Sequence, residues 1–564
     1  CLVGSEMCIR DSQIAFGFSN LDSSFNNTMT HIINSGTISL NAPESAGIQL
    51  KPEDPHNWTP HWSEMTTVSG KDVVKINDGG RGTANKGIVL MKADNQEKIE
   101  IESSGSFGII TVFNPGISEL TAITSLNTLF NNKTQSNLRA QRNLGGVKIL
   151  PGGEIGRSGL TDAKYTSGVY NSGTISINGD KSVGVGILQE IQEVKVGGKI
   201  DIGTTASLSQ GVNQNLAGGN NQKVENAVGI YAAVPTMPVL SGTKDTLGNT
   251  ATADIGTKTV EFGPFGKTGA SVGAAAGSGT ITIGENATKS IGLLVGDSEE
   301  NLNDGKLNGA ETTGRKLRRS GSITANEGAN VVVNGDSNYG FVVKSESYKS
   351  IFDLNLIDNL LESTDRTNYG VGINKGTITV NGTNSIAFAM LKGGDSSNSG
   401  DLIVNPLTAA GAQSSTAFYG EQGNFANSGN ITVNTPANTG NIGVLLKGPN
   451  TTTPINFTNK GNISVQGEGN IGVYGEGKYT FNHEKNTAGT NKISVGSDAI
   501  GIYAREASGT LNIKAPIDIA ASGTGTTIGI YTDGNAKVKF GEHSKLTIGV
   551  GAVGIYSSDA TKFN

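Results

Sequence analysis

The chain has 564 residues, of which 81 are glycine, 16% are charged and 5% are aromatic, and its formal net charge is −6. This negative net charge excludes a nucleic-acid binder that is held by bulk positive charge. The sequence contains no apolar run of about 18 residues, so it predicts no transmembrane helix. Glycine does not recur at every third position, which excludes a collagen triple helix. The small net charge and the many aliphatic residues exclude a chain that is disordered because of its charge. A repetitive β architecture remains.

The first twelve residues differ from the rest of the chain. They contain both cysteines, Cys1 and Cys8, and resemble a translated sequencing or assembly artefact, so residues 1–12 are predicted to belong to no domain. From residue 13 onward there is no cysteine, which excludes a disulfide framework and a cysteine-based metal site. The sequence stops within a repeat, and we interpret it as an interior fragment of a longer protein.

Internal repetition is the main signal. The first half of the repeat reads Asn-(Ser/Lys)-Gly-x-Ile-(Ser/Thr)-aliphatic, and it begins at Asn34, Asn171, Asn374, Asn427 and Asn459. The second half is a Gly-aliphatic pair, often Gly-Ile-Tyr. Its successive glycines Gly443, Gly472, Gly501, Gly529 and Gly554 are 29, 29, 28 and 25 residues apart. A period near 28 that persists while the loops vary is typical of a solenoid.

Each half-repeat has the alternation of a short strand. Ile431 and Val433 share one face and Thr432 the other, while Asn-x-Gly supplies residues that tolerate a tight corner. One coil of about 28 residues buries too few aliphatic side chains to offset its backbone entropy, so neighbouring coils must stack. Residues 13–564 are therefore predicted to form one all-β parallel β-helix.

Several segments interrupt the repeat and are predicted to loop out of the rod. They are residues 51–66, 115–145, 205–226, 300–320 and 345–366. Apolar residues at helical spacing predict short helices over 117–130 and 350–362.

Sequence motifs for chemistry are weak. Residues 467–472 and 549–554 match GxGxxG, but strands follow, whereas a dinucleotide site needs a helix N-terminus. His56, His61 and Glu64 could supply zinc ligands, but on a loop we interpret them as solvated or packing residues. The sequence therefore predicts no catalytic residues, no metal and no cofactor.

Two groups of residues are candidates for binding. Tyr474, Tyr503, Tyr531 and Tyr556 recur at one position of four successive repeats and would form an exposed aromatic column if the coils are in register. Such a column could stack on sugars or a partner surface, or its rings could only stabilise the rod. The other candidates are loop contacts: Trp58, Trp62, Arg315, Lys316, Arg318 and Arg319.

The unit NxGxIxV…GIY resembles the passenger domains of autotransporter adhesins of Gram-negative bacteria, especially fusobacterial ones, over nearly all of residues 31–564. The resemblance implies a right-handed parallel β-helix exposed on the cell surface or secreted. It also implies membrane contact only through a C-terminal barrel outside this sequence. The implied function is adhesion to host cells, other bacteria or itself, with surface glycans or proteins as partners and no nucleic acid. The alternatives are a polysaccharide-active β-helix enzyme and a purely structural stalk.

Overall fold

The computed structural model describes most of the repeat and parts of the segments between. The described residues are 14–18, 29–50, 61–68, 71–77, 90–111, 168–188, 193–208, 223–233, 260–265, 278–301, 306–307, 310–311, 316–345, 370–405, 414–434, 440–449, 454–505, 509–534 and 536–558.

These residues form three long parallel sheets that run the length of the molecule, two with 13 strands and one with 14. Each of 13 successive coils gives one strand to each sheet, and every strand pairs with the equivalent strand of the next coil. The parallel β-helix predicted from the repeat is confirmed. We number the coils 1 to 13, and coils 9 to 13 comprise residues 423–448, 455–477, 479–505, 510–533 and 537–557.

Sheet 1 carries the strand that leads to the Asn-x-Gly corner. Its strands are Met29–Asn34, Leu90–Asn95, Gly168–Asn171, Glu193–Val196, Val260–Phe262, Ser322–Ala325, Val371–Asn374, Ser396–Asn398, Gly423–Asn427, Ile455–Asn459, Tyr479–Glu484, Thr510–Lys514 and Lys537–Phe540. Sheet 2 follows that corner. Its strands are Thr37–Leu40, Lys98–Ile101, Thr174–Ile177, Lys199–Ile202, Thr280–Ile283, Asn330–Val333, Thr377–Val380, Asp401–Val404, Asn430–Asn434, Asn462–Gln466, Ile493–Val495, Pro516–Ile519 and Lys545–Ile548.

Sheet 3 carries the Gly-Ile-Tyr half of the repeat. Its strands are Ile14–Phe18, Ala46–Leu50, Phe107–Thr111, Val183–Ile187, Val228–Ala232, Ile291–Val295, Tyr339–Lys344, Ile386–Lys392, Thr416–Gly420, Ile442–Gly448, Ile471–Gly477, Ile500–Arg505, Ile528–Asp533 and Val553–Ser557.

Small elements lie between the rod strands. Antiparallel pairs join His61–Val68 to Lys71–Asn77, Asp297–Asn301 to Lys316–Ser320, and Lys306–Leu307 to Ala310–Glu311. A short parallel pair joins Val224–Glu225 to Ala287–Thr288, and a one-turn helix spans Thr205–Leu208. The helices predicted over 117–130 and 350–362 lie outside the described residues.

The inward side chains stack like on like. Ile431 pairs in register with Ile463, which pairs with Ile493 and then Ile517, and all four are fully buried. Phenylalanines fill the centre of the middle coils, with ring centroids of neighbouring pairs 4.1 to 6.0 Å apart; they are Phe341, Phe388, Phe418, Phe425, Phe457 and Phe481. Each coil thus buries apolar surface that it could not bury alone.

The repeated asparagine forms a buried ladder at the corner between sheets 1 and 2. Asn398 Nδ2 donates to Asn427 Oδ1 at 2.7 Å, and Asn427 Nδ2 donates to Asn459 Oδ1 at 2.7 Å. Each amide also donates to the carbonyl of the corner glycine two residues on, as Asn427 does to Gly429 at 3.1 Å. The ladder therefore has a direction, because each amide nitrogen faces the oxygen of the next coil.

The repeated glycine of sheet 3 is required by a close backbone approach. A Cβ atom at Gly472 would lie 2.5 Å from the carbonyl oxygen of Gly501 in the next coil, and one at Gly443 would lie equally close to Gly472. Gly472 also ends one of the two GxGxxG matches. It lies at the start of a strand, Ile471–Gly477, so the motif serves coil stacking.

Candidate functional site

The four tyrosines predicted to form a column lie in register on the outer face of sheet 3. Tyr474 pairs with Tyr503, Tyr503 with Tyr531, and Tyr531 with Tyr556. Their ring centroids are 5.2, 4.7 and 5.2 Å apart in that order. The first two pairs are edge-to-face and the third is stacked, so the rings contact one another along the rod.

Local alternation explains why the tyrosines point outward. In the strand Ile500–Arg505, Ile502 is fully buried in the rod, whereas Tyr503 on the opposite face is half-buried. Strict alternation would place Ile500 on the inner face with Ile502, but it breaks at Gly501: Ile500 lies on the outer side and is half-buried, as are its equivalents in the neighbouring coils. Coils 10 to 13 therefore share a two-column surface that we call the tyrosine strip; its residues are Ile471, Tyr474, Ile500, Tyr503, Ile528, Tyr531, Val553 and Tyr556.

Polar groups border the tyrosine strip along one side. Glu476, Arg505 and Asp533 are register partners in successive coils. Tyr474 Oη donates to Glu476 Oε2 at 3.4 Å, and Arg505 is hydrogen-bonded to Tyr474. Burial raises the pKa of Tyr503, so its hydroxyl stays protonated and able to donate at neutral pH.

Towards the N-terminus the same outer column is completely buried. Tyr231, Leu294, Val342 and Ala389 occupy it in coils 4 to 7, and none is more than 1% exposed. They belong to a second hydrophobic cluster, separate from the interior of the rod, together with Phe107, Val183 and Ile291. The sequence contains a signal for this cluster, because the outward positions of sheet 3 are apolar in nearly every described coil.

A second polar ladder, at the corner before sheet 3, was also missed. Ser415 Oγ accepts the backbone N–H of Ser385 at 3.1 Å, and Asn441 Oδ1 accepts that of Ser415 at 2.7 Å. Its sequence signal is a Ser, Asn or Thr two residues before the repeated Gly or Ala. These bonds satisfy buried corner N–H groups and thus serve the fold.

The predicted loop contacts fall mostly outside the described part of the structure. Trp58 and Arg315 lie outside it, and so do the side chains of Trp62, Lys316, Arg318 and Arg319. The backbone places the last three in the strand Lys316–Ser320, where Arg318 is opposite Glu299 and Arg319 is opposite Ser298. The basic run is therefore paired along the backbone with the strand Asp297–Asn301.

Of the three residues considered as zinc ligands, the structure describes only the backbone of two. His56 lies outside it, while His61 and Glu64 belong to the strand His61–Val68, in which Glu64 is opposite Lys75. Within the described ranges there is no group of three or more His, Cys, Asp or Glu residues able to hold a metal ion. Within the same ranges, no helix has the length and apolarity needed to cross a membrane.

Comparison with known proteins does not add to these observations. No family model, no curated protein and no solved structure matches the chain.

Proposed function

We propose that this chain is part of a surface-exposed autotransporter passenger that acts as an adhesin, with the tyrosine strip as its main contact surface. The rod holds the strip rigid, and binding occurs by repeated contacts without bond chemistry. The partners are glycans or proteins on host or bacterial cells, or another copy of the chain. The type V secretion route and the cell-surface location rest on the resemblance of the repeat alone.

The observation that carries the proposal is the contrast between the outer faces of sheets 2 and 3. On sheet 2, the outward column of coils 9 to 12 is polar and consists of Thr432, Ser464, Ser494 and Asp518. On sheet 3 of the same coils it is Leu445, Tyr474, Tyr503 and Tyr531. A β-helix needs no apolar residues on its outside, and partly exposed apolar columns on a soluble surface mark contact sites.

The chemistry of the strip fits ligands with both apolar and hydroxyl groups. Tyrosine combines an aromatic face with a hydrogen-bonding hydroxyl, a combination enriched at binding surfaces. Arg505 adds donors beside the rings, while Glu476 and Asp533 add acceptors. Carbohydrates and polar protein surfaces both present groups of this kind.

A purely structural stalk is the second candidate, and the ring contacts favour it. Edge-to-face aromatic pairs contribute about 0.5–1.5 kcal/mol each beyond area burial, so the column also stabilises coils 10 to 13.

The test must remove the aromatic faces without opening the rod. Leucine already occupies this column at Leu445 and Leu294, so a Tyr503→Leu/Tyr531→Leu variant retains an apolar side chain of a type the column accepts. A matched control, Thr432→Leu/Ser464→Leu, adds leucines to the outward column of sheet 2. Binding would be measured to epithelial cells, to bacterial cells and to immobilised glycans, and self-association by sedimentation.

We expect the tyrosine variant to lose at least tenfold in binding or self-association, and the control to retain both. Equal binding by the folded tyrosine variant, or absence of any binding by the unmodified protein, would favour the stalk.

A further inference from the structure

One buried imidazole takes the place of an asparagine in the interior ladder. His483 is the register partner of Asn459 and is 0% exposed. In the next coil the equivalent position is Ile513, which offers no polar group. The ladder that begins at Asn374 therefore ends on a histidine in coil 11.

The direction of the ladder fixes which nitrogen of His483 carries the proton. Asn459 Oδ1 accepts from Asn427, so the amide nitrogen of Asn459 faces His483 Nδ1, at 3.1 Å. An amide nitrogen can only donate, hence Nδ1 must be the unprotonated acceptor. Nε2 lies 3.2 Å from the carbonyl oxygen of Pro516, which can only accept, hence Nε2 carries the hydrogen. Both ring nitrogens are satisfied only in the neutral form.

Protonation would break this arrangement. A proton on Nδ1 would point at the N–H of Asn459, and a charge would be placed inside the rod. Burial accordingly lowers the pKa of His483.

The nearby carboxylates are already paired with lysines. Glu484, next to His483 on the same strand, lies 3.6 Å from Lys460 Nζ and 3.8 Å from Lys514 Nζ. Asp518, on the strand that begins at Pro516, lies 2.9 Å from Lys492 Nζ. These carboxylates therefore do little to offset a charge on the imidazole.

We propose that His483 makes coil 11 an acid-sensitive joint, a coil of the rod that opens more readily as the pH falls. An opened coil exposes the imidazole to water, where it binds a proton with a pKa near 6.5, whereas the closed coil resists protonation. Stability is therefore complete above pH 6.5 and falls as the pH drops below it. Because Tyr474 and Tyr503 lie on coils 10 and 11, opening the joint would also disrupt the tyrosine strip. The joint itself does not depend on the proposed function.

Hydrogen exchange followed by mass spectrometry tests this joint in the full chain. The pH would be lowered from 7.0 to 5.5, and exchange would be corrected for intrinsic rates. We expect the equilibrium constant for opening of coils 10 to 12 to rise about tenfold relative to that of coils 7 to 9. His483→Asn restores the ladder residue and should reduce that rise to less than about twofold. His543→Asn, at an exposed histidine in coil 13, should leave the rise unchanged.

Two further measurements keep the test decisive if His483→Asn folds poorly. His483→Gln supplies an acceptor and a donor without a titratable ring, and it should also lose the pH dependence. Nitrogen-15 NMR of the unmodified chain at pH 6 should show an unprotonated Nδ1 and a protonated Nε2. The same pH dependence with and without His483, or an imidazolium signal at pH 6, would overturn the proposal.

Discussion

The asparagine ladder predicts that the cost of removing one rung depends on its place in the ladder. Asn427 is a middle rung: it accepts from Asn398 and donates to Asn459 and to Gly429. Asn427→Ala therefore leaves a donor on Asn398 and an acceptor on Asn459 buried without partners. An orphaned buried polar group costs about 1–3 kcal/mol, so the variant should lose about 2–6 kcal/mol of local stability.

Asn374 is the first rung and provides the comparison. Its Oδ1 accepts no hydrogen bond, because the preceding position is Ala325. Within the ladder, Asn374→Ala leaves only Asn398 Oδ1 without its hydrogen-bond donor. We therefore expect it to lower local stability by about half as much as Asn427→Ala does. The outward Asn430, in the same coil as Asn427, is a surface control, and Asn430→Ala should cost less than about 1 kcal/mol.

The assay is hydrogen exchange on peptides covering coils 7 to 11, supported by urea unfolding followed by circular dichroism. Local exchange is preferred because a solenoid need not unfold in one step. Equal losses for Asn374→Ala and Asn427→Ala, or no loss for either, would refute the claim that the ladder is directional and stabilising.

Two other predictions concern single atoms in the rod. Tyr479 is buried in the interior and its hydroxyl has no hydrogen-bond partner, so Tyr479→Phe should leave thermal stability unchanged or raise it by about 1 kcal/mol. By contrast, Tyr231→Phe should lower it, because Tyr231 donates to the carbonyl of Asp297 at 3.3 Å; a larger loss for Tyr479→Phe would contradict the assignment. Gly472→Ala should cost about 1–3 kcal/mol in thermal melts because of the clash with Gly501, whereas Gly36→Ala, which meets nothing within 4 Å, should cost nothing. Equal melting temperatures for these two variants would show that the close approach does not constrain the sequence.

The sequence was sufficient to predict the coil and its register. Asn-x-Gly and Gly-Ile-Tyr recur at fixed places, and alternation around them assigns Ile502 inward and Tyr503 outward. What each position contacts could not be predicted in the same way. Tyr503 and Tyr231 occupy the same column, but one is half-buried and the other fully buried. That difference depends on non-local packing against the outside of the rod, which the repeat does not encode.

The departures from the repeat were the least predictable features. His483 replaces an asparagine within a strand that lacks the usual Asn-x-Gly, so its place in the ladder became visible only with the register of sheet 1. The ladder of Ser, Asn and Thr before sheet 3 was overlooked for a related reason. Its members differ in residue type. They share only a side-chain oxygen, from an amide or a hydroxyl group, that accepts the backbone N–H of the equivalent residue in the preceding coil.

In-register stacking of the coils is the central claim, and disulfide mapping tests it most directly. In a chain with Cys1 and Cys8 replaced by serine, cysteine pairs would be placed at outward positions of sheet 2. Thr432 and Ser464 are register partners, as are Ser464 and Ser494, whereas Thr432 and Ser494 are two coils apart. Disulfides need Cα atoms about 4.4–6.8 Å apart, and adjacent strands are about 4.8 Å apart. The structure predicts cross-links within one chain for the two adjacent pairs and none for Thr432 with Ser494. A cross-link only in that last pair, or in none of the three, would contradict the stacked rod.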